Sequence, residues 1–101
     1  MADFVRVAGT ADVQPGHGMV AEVNGKTVAV FNVDGVFHVV DNTCLHRGGP
    51  LGEGEVEGSV VTCPWHGWQF NVATGACVNN PSGKVAVYQV KVEGGDVKVL
   101  L

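Results

Sequence analysis

The chain has 101 residues, a hydrophobic fraction of 46%, a charged fraction of 16%, and six Lys and Arg against ten Asp and Glu, for a formal charge of −4. A chain of this length buries roughly two-thirds of the surface its unfolded form exposes, which suits one domain over 1–101 without a separate catalytic domain, and the composition excludes disorder. The negative charge is the wrong sign for a nucleic-acid or anionic-membrane partner, and neither a basic-then-apolar leader nor a membrane-length apolar run is present, so a cytoplasmic location is expected.

In chain order, strands are predicted over Phe4 to Ala8, Met19 to Val23, Thr27 to Phe31, Val36 to Val40, Ser59 to Thr62, Trp68 to Asn71, Tyr88 to Val92 and Val97 to Leu101. Turn signals separate them at Pro15-Gly16, Asn24-Gly25, Asp34-Gly35, Thr74-Gly75, Pro81-Ser82-Gly83 and Glu93-Gly94-Gly95-Asp96. Thr27 to Phe31 and Tyr88 to Val92 alternate, so each is expected to show one apolar and one polar face. No segment has the period of an amphipathic helix. The expected fold is all-β, an antiparallel sandwich or barrel. From Asp41 to Gly58 the rhythm fails in a long connection with Gly48, Gly49, Pro50, Gly52, Gly54 and Gly58. Long connections in small domains usually carry function.

Two Cys-His pairs carry the chemistry: Cys44-Leu45-His46 and Cys63-Pro64-Trp65-His66, separated by residues 47–62. With three cysteines in all, an odd number, these read as metal ligands in a reducing compartment rather than as a disulfide framework. Thiolate and imidazole both suit zinc and iron, so ligand type alone leaves two centres open: a tetrahedral structural zinc, or a 2Fe-2S cluster with two Cys on one iron and two His on the other. Spacing favours the cluster. Zinc fingers put both Cys in one short motif and both His on a helix, whereas here each loop supplies one of each.

The two boxes, Cys44-Leu45-His46-Arg47-Gly48-Gly49 and Cys63-Pro64-Trp65-His66-Gly67-Trp68, with Phe70, Thr74-Gly75 and Pro81 following, resemble the Rieske family. The resemblance implies a β domain with a cluster-binding subdomain at the tip of two loops, one 2Fe-2S cluster held by Cys44, His46, Cys63 and His66, and a third loop with Pro81 packed over it. Arg47, Trp65, Trp68 and Pro81 are the expected shielding residues. With neutral histidines the oxidised centre sums to zero charge and the reduced one to −1, against −2 and −3 for a four-thiolate cluster, which is why the His pair raises the potential. High-potential respiratory members add a Cys to each box, joined as a disulfide, and a Ser and a Tyr that donate to sulfur. Those four places here are Gly49, Trp65, Trp68 and Phe70, which supply neither that disulfide nor those hydroxyls, and this predicts a potential near the low end of the family, about −150 mV. The resemblance also implies that His46 and His66 each leave one ring nitrogen exposed, so that the potential falls at alkaline pH.

His17 and His38 are the histidines left over, and they cannot supply the typical helical ligand pair of the two-His, one-carboxylate iron of an oxygenase. The expected role is therefore single-electron carriage without catalysis. The resemblance implies a flavin-containing NAD(P)H reductase as donor and a terminal oxygenase of the aromatic-ring dioxygenase type as acceptor, with the chain a monomer. The alternatives are the small Rieske-type subunit of a larger reductase such as cytoplasmic nitrite reductase, docked to its large subunit, and a mononuclear zinc module. Cys77 reads as buried core, His38 as a solvent-facing strand residue and His17 as a loop residue. Glu53, Glu55 and Glu57 form an alternating acidic set that can steer a basic partner or simply edge a solvated loop. Trp68 reads first as core packing.

Overall fold

The computed structural model describes residues 4–23, 25–42, 51–64, 67–78 and 83–100. Within them lie nine strands: β1 (Phe4–Gly9), β2 (His17–Val23), β3 (Lys26–Val33), β4 (Val36–Asp41), β5 (Glu55–Glu57), β6 (Val60–Thr62), β7 (Gln69–Asn71), β8 (Val87–Glu93) and β9 (Asp96–Leu100). Two single 3-10 turns, Thr10–Asp12 and Leu51–Glu53, complete the set. The all-β expectation is met, and every paired strand is antiparallel.

The strands form a six-stranded sheet in the order β1-β9-β8-β4-β3-β2 and a three-stranded sheet in the order β5-β6-β7. The larger sheet curls until its two edge strands, β1 and β2, come into contact. Its hairpins close where the dipeptide signals stood. Asp34 and Gly35 both have positive φ, 51° and 89°, as a two-residue turn matched to strand twist requires, and Gly94 and Gly95 repeat this between β8 and β9.

Two apolar clusters lie on opposite faces of β3 and β4. Inside the curl, Val28, Val30 and Val39 meet Val13, Ala21, Val97 and Val99. On the other face, Ala29, Phe31 and Val40 meet Leu51, Val61, Cys63, Phe70, Val72, Cys77 and Val85, which join the small sheet to the large one. The expectation of a polar face on Thr27 to Phe31 is therefore corrected. Residues 28–32 are all buried, because β3 is a central strand covered on both sides.

β5 is a second correction, since it falls inside the segment read as lacking strand character. Val56 packs on the shared cluster while Glu55 and Glu57 face solvent, an alternation too short to stand out among glycines. Those glycines serve close approach. A Cβ at Gly52 would lie 2.7 Å from a Val20 methyl and 2.8 Å from the Met19 carbonyl, so the 3-10 turn Leu51–Glu53 seats directly on β2. His17 opens β2 rather than lying in a loop, and is exposed; His38 is half-buried rather than solvent-facing.

Candidate metal centre

Of the four candidate ligands, Cys63 lies among the described residues; Cys44, His46 and His66 lie outside them, as do Arg47, Gly49, Trp65 and Pro81. The Cys63 side chain is 1% exposed, forms no disulfide, and sits in the apolar cluster shared by the two sheets.

The second box is closed by its own backbone. The Cys63 N–H donates to the Trp68 carbonyl at 2.7 Å, and the Cys63 carbonyl accepts the Gly67 N–H at 3.0 Å. Gly67 has φ +73°, a left-handed conformation that side chains resist, so the turn calls for glycine here. Trp68 is half-buried against the cluster, in keeping with core packing, and Phe70 is fully buried beside it.

The first box leaves β4 at Asn42 and rejoins the fold at Leu51, whose N–H donates to the Asn42 carbonyl at 2.7 Å. The third segment, which includes Pro81, is closed where the Cys77 N–H donates to the Gly83 carbonyl at 3.0 Å. Cys77 in turn bridges Phe70, and the Val78 N–H donates to the Gln69 carbonyl at 2.8 Å. Leu51, Cys63 and Cys77 thus mark the stems of the three segments, and all three belong to one buried cluster. Cys77 is 3% exposed core, as expected. Sequence reasoning pointed to the three segments but not to Asn42 or Leu51, which lack any metal-binding chemistry.

An open cleft of about 400 Å³ beside Cys63 is lined by Glu53, Glu55, Thr62, Pro64 and Gly67. A wider cleft of about 530 Å³ runs between His17 on β2 and Glu53, Glu55 and Glu57, and reaches Thr62. The three glutamates are exposed and make no ion pair among the described residues. Among the described residues the ion-paired cations lie elsewhere: Arg6 pairs with Asp96 at 2.8 Å, and Lys91 and Lys98 both pair with Glu93, at 3.4 and 3.3 Å. Among the described residues, therefore, the charges on the rim beside Cys63 are acidic, and the face formed by β1, β9 and β8 carries the paired cations. Away from the centre, burial holds the His38 imidazole below its usual pKa.

The donor set suits a bridged cluster: a buried thiol outside any disulfide at the root of one loop, a second Cys-His pair on another in the sequence, and the described stems of both loops in one buried apolar cluster. No helix of the described residues is long and apolar enough to cross a membrane.

Comparison with known proteins agrees. A ferredoxin of Metapseudomonas resinovorans, CarAc, is 36% identical over 98 residues, covering 95% of this chain and 92% of the relative. In the complex of reduced oxygenase and oxidized ferredoxin of carbazole 1,9a-dioxygenase, the matched chain superposes with a TM-score of 0.86 at 34% identity, covering 96% of this chain and 92% of that one. A chain named as the small subunit of an NADH-dependent nitrite reductase from Mycobacterium tuberculosis gives a TM-score of 0.91 at 25% identity, covering 100% of this chain and 96% of that one. The family model for the Rieske [2Fe-2S] domain matches residues 3–93, nearly the full length, and with both Cys-His boxes inside that span the chain belongs to the Rieske [2Fe-2S] domain family.

Proposed function

We propose that this chain is a ferredoxin of the aromatic-ring dioxygenase type, a cytoplasmic single-electron carrier that takes electrons from a flavin-containing NAD(P)H reductase and delivers them to a terminal oxygenase. The observation that carries the site is the convergence of three loop stems, at Leu51, Cys63 and Cys77, on one buried apolar cluster. It supports Cys44, His46, Cys63 and His66 as the ligand set and residues 1–101 as one unit, since the two sheets share that core.

The 2Fe-2S cluster supplies a one-electron couple, and the protein's part is to hold and surround it. Cys63 offers its sulfur from a rigid, water-poor base, which limits the rearrangement that electron transfer demands. Phe70 stands where high-potential relatives place a Tyr, and it offers apolar contact in place of a hydroxyl donor. Less hydrogen bonding to sulfur favours a low potential. Glu53 and Glu55 put negative charge on the rim beside Cys63, which suits encounter with a positively charged partner surface.

Visible absorption and the electron paramagnetic resonance of the dithionite-reduced protein test the reading. A reddish protein with the rhombic signal of a His-ligated 2Fe-2S centre, lost in Cys63→Ser, is expected; a colourless, signal-free protein that holds zinc refutes it. Likeness to the nitrite reductase small subunit supports a second reading, a subunit of a larger reductase. Purification from the native host separates the two: a monomer that supports reductase-to-oxygenase turnover favours the first, stable co-purification with a large subunit the second.

A further inference from the structure

We propose that Asn42 is a positioning residue that fixes the first ligand box relative to the second, by clamping together the two ends of segment 43–50. The inference rests on the assignment of Cys44 and His46 as ligands.

Asn42 stands at the point where β4 ends, and it is 8% exposed. Its carbonyl accepts the Leu51 N–H at 2.7 Å, while its side-chain Oδ1 accepts the Gly52 N–H at 2.8 Å in a buried setting. One residue therefore holds two consecutive amides of the returning chain. Asn42 is itself tied down, since its N–H donates to the Thr27 carbonyl on β3 at 3.3 Å. The preceding residue is held from the other side. The Asp41 N–H donates to the Ala86 carbonyl at 3.0 Å, and the Tyr88 hydroxyl donates to Asp41 Oδ1 at 2.6 Å. The entrance of the segment is thus anchored to both neighbours of β4.

The exit is equally constrained. Leu51 is fully buried in the cluster that contains Cys63, and the backbone at Gly52 presses on Met19 and Val20 so closely that no Cβ fits. From there the chain runs through a turn, with the Gly54 N–H on the Leu51 carbonyl at 3.0 Å, into β5, β6 and Cys63. The Asn42 to Gly52 bond is consequently a direct link between the large sheet, which launches Cys44 and His46, and the strands that carry Cys63 and His66. Chemistry explains the residue type. The short neutral amide reaches a buried N–H and satisfies it, whereas loss of that oxygen strands a donor in an apolar setting.

The test uses the cluster-loaded, full-length protein and three variants: Asn42→Ala, Asn42→Asp and Asn32→Ala. Asn32 is a matched control, a buried Asn whose side chain bonds the Val13 carbonyl and the Gly35 N–H, both at 2.8 Å, at the base of a hairpin outside the ligand stems. Two readouts are taken, the electron paramagnetic resonance g-values of the reduced protein and the rate at which an iron chelator bleaches the visible absorption. Asn42→Ala is expected to shift the g-values and speed bleaching about tenfold, as loss of one buried hydrogen bond would. Asn42→Asp retains the acceptor and should bleach at a rate close to that of the parent. Asn32→Ala should lower the thermal midpoint and leave both readouts unmoved. Parent-like g-values and bleaching in Asn42→Ala overturn the proposal, as does an equal change in Asn32→Ala. If Asn42→Ala takes up no cluster, Asn42→Asp decides: parent-like behaviour supports the clamp, and failure like that of Ala overturns it. A parent protein without the 2Fe-2S signal would instead refute the ligand assignment, a distinguishable result.

Discussion

Replacing Gly54 by Ala puts a single methyl group where the fold has no room for it. The added carbon would lie 2.1 Å from the Thr62 carbonyl oxygen, 3.0 Å from a Val61 methyl and 3.1 Å from the Thr62 carbonyl carbon. The nearest of these is backbone, so no side-chain rotation relieves the contact. Restoring ordinary separation requires β5 to retreat by about 1 Å from β6, a large displacement against a strand spacing of about 4.8 Å. The Glu55 to Thr62 pairing is the first to suffer. Overpacking of this kind costs about 1–3 kcal/mol, and a lost ladder bond adds about 1 kcal/mol. A total of about 3 kcal/mol lowers the melting temperature of a domain this size by about 10–20 °C. Thr62 precedes Cys63, so the damage should also speed loss of visible absorption on heating. Gly58→Ala is the comparison: nothing lies within 4 Å of its added carbon, and its φ of +60° is the sole penalty, about 1 kcal/mol. Thermal melts followed by far-UV circular dichroism should rank Gly54→Ala far below Gly58→Ala. A Gly54→Ala midpoint within a few degrees of the parent would refute the close-packing argument.

Voltammetry should place the midpoint near about −150 mV, and Phe70→Tyr should raise it by about 40 mV, the equivalent of one hydrogen bond of about 1 kcal/mol to sulfur; a parent midpoint well above zero contradicts this. His38 lies on β4 opposite Phe31, with its pKa lowered by burial. The unfolded chain therefore takes up a proton first as pH falls below about 6.5, and stability is lost from there down to the folded-state pKa. Denaturant midpoints of His38→Gln should vary less between about pH 7 and about pH 5 than those of the parent; identical slopes would remove His38 as the cause. Converting Glu53, Glu55 and Glu57 together to Gln should slow electron delivery to a basic partner about tenfold at low ionic strength and flatten its salt dependence. An unchanged salt dependence would mean that the acidic rim is only a solvated edge.

Much of the molecule was legible in the chain itself. Period-two Val-rich stretches and Gly-containing turns located eight of the strands within a residue or two, and the two Cys-His boxes pointed to the metal chemistry before any geometry was known. Those signals are local. Alternation follows from the pleat, and ligand identity follows from the donor atoms of the side chain.

What the sequence left open depended on neighbours distant along the chain. Alternation in β3 marked which residues share a face, yet only the position of the strand between two clusters made both faces buried. β5 is too short to declare itself and exists because β6 pairs with it while Val56 reaches the common core. Asn42 and Gly52 look like ordinary loop residues until the ends of segment 43–50 meet. The sequence by itself determined that two Cys-His boxes offer donor atoms suited to a 2Fe-2S cluster, and which segments carry them. Tertiary structure decided how Leu51, Cys63 and Cys77 converge on one base, because burial and backbone pairing belong to the folded assembly rather than to any single stretch of chain.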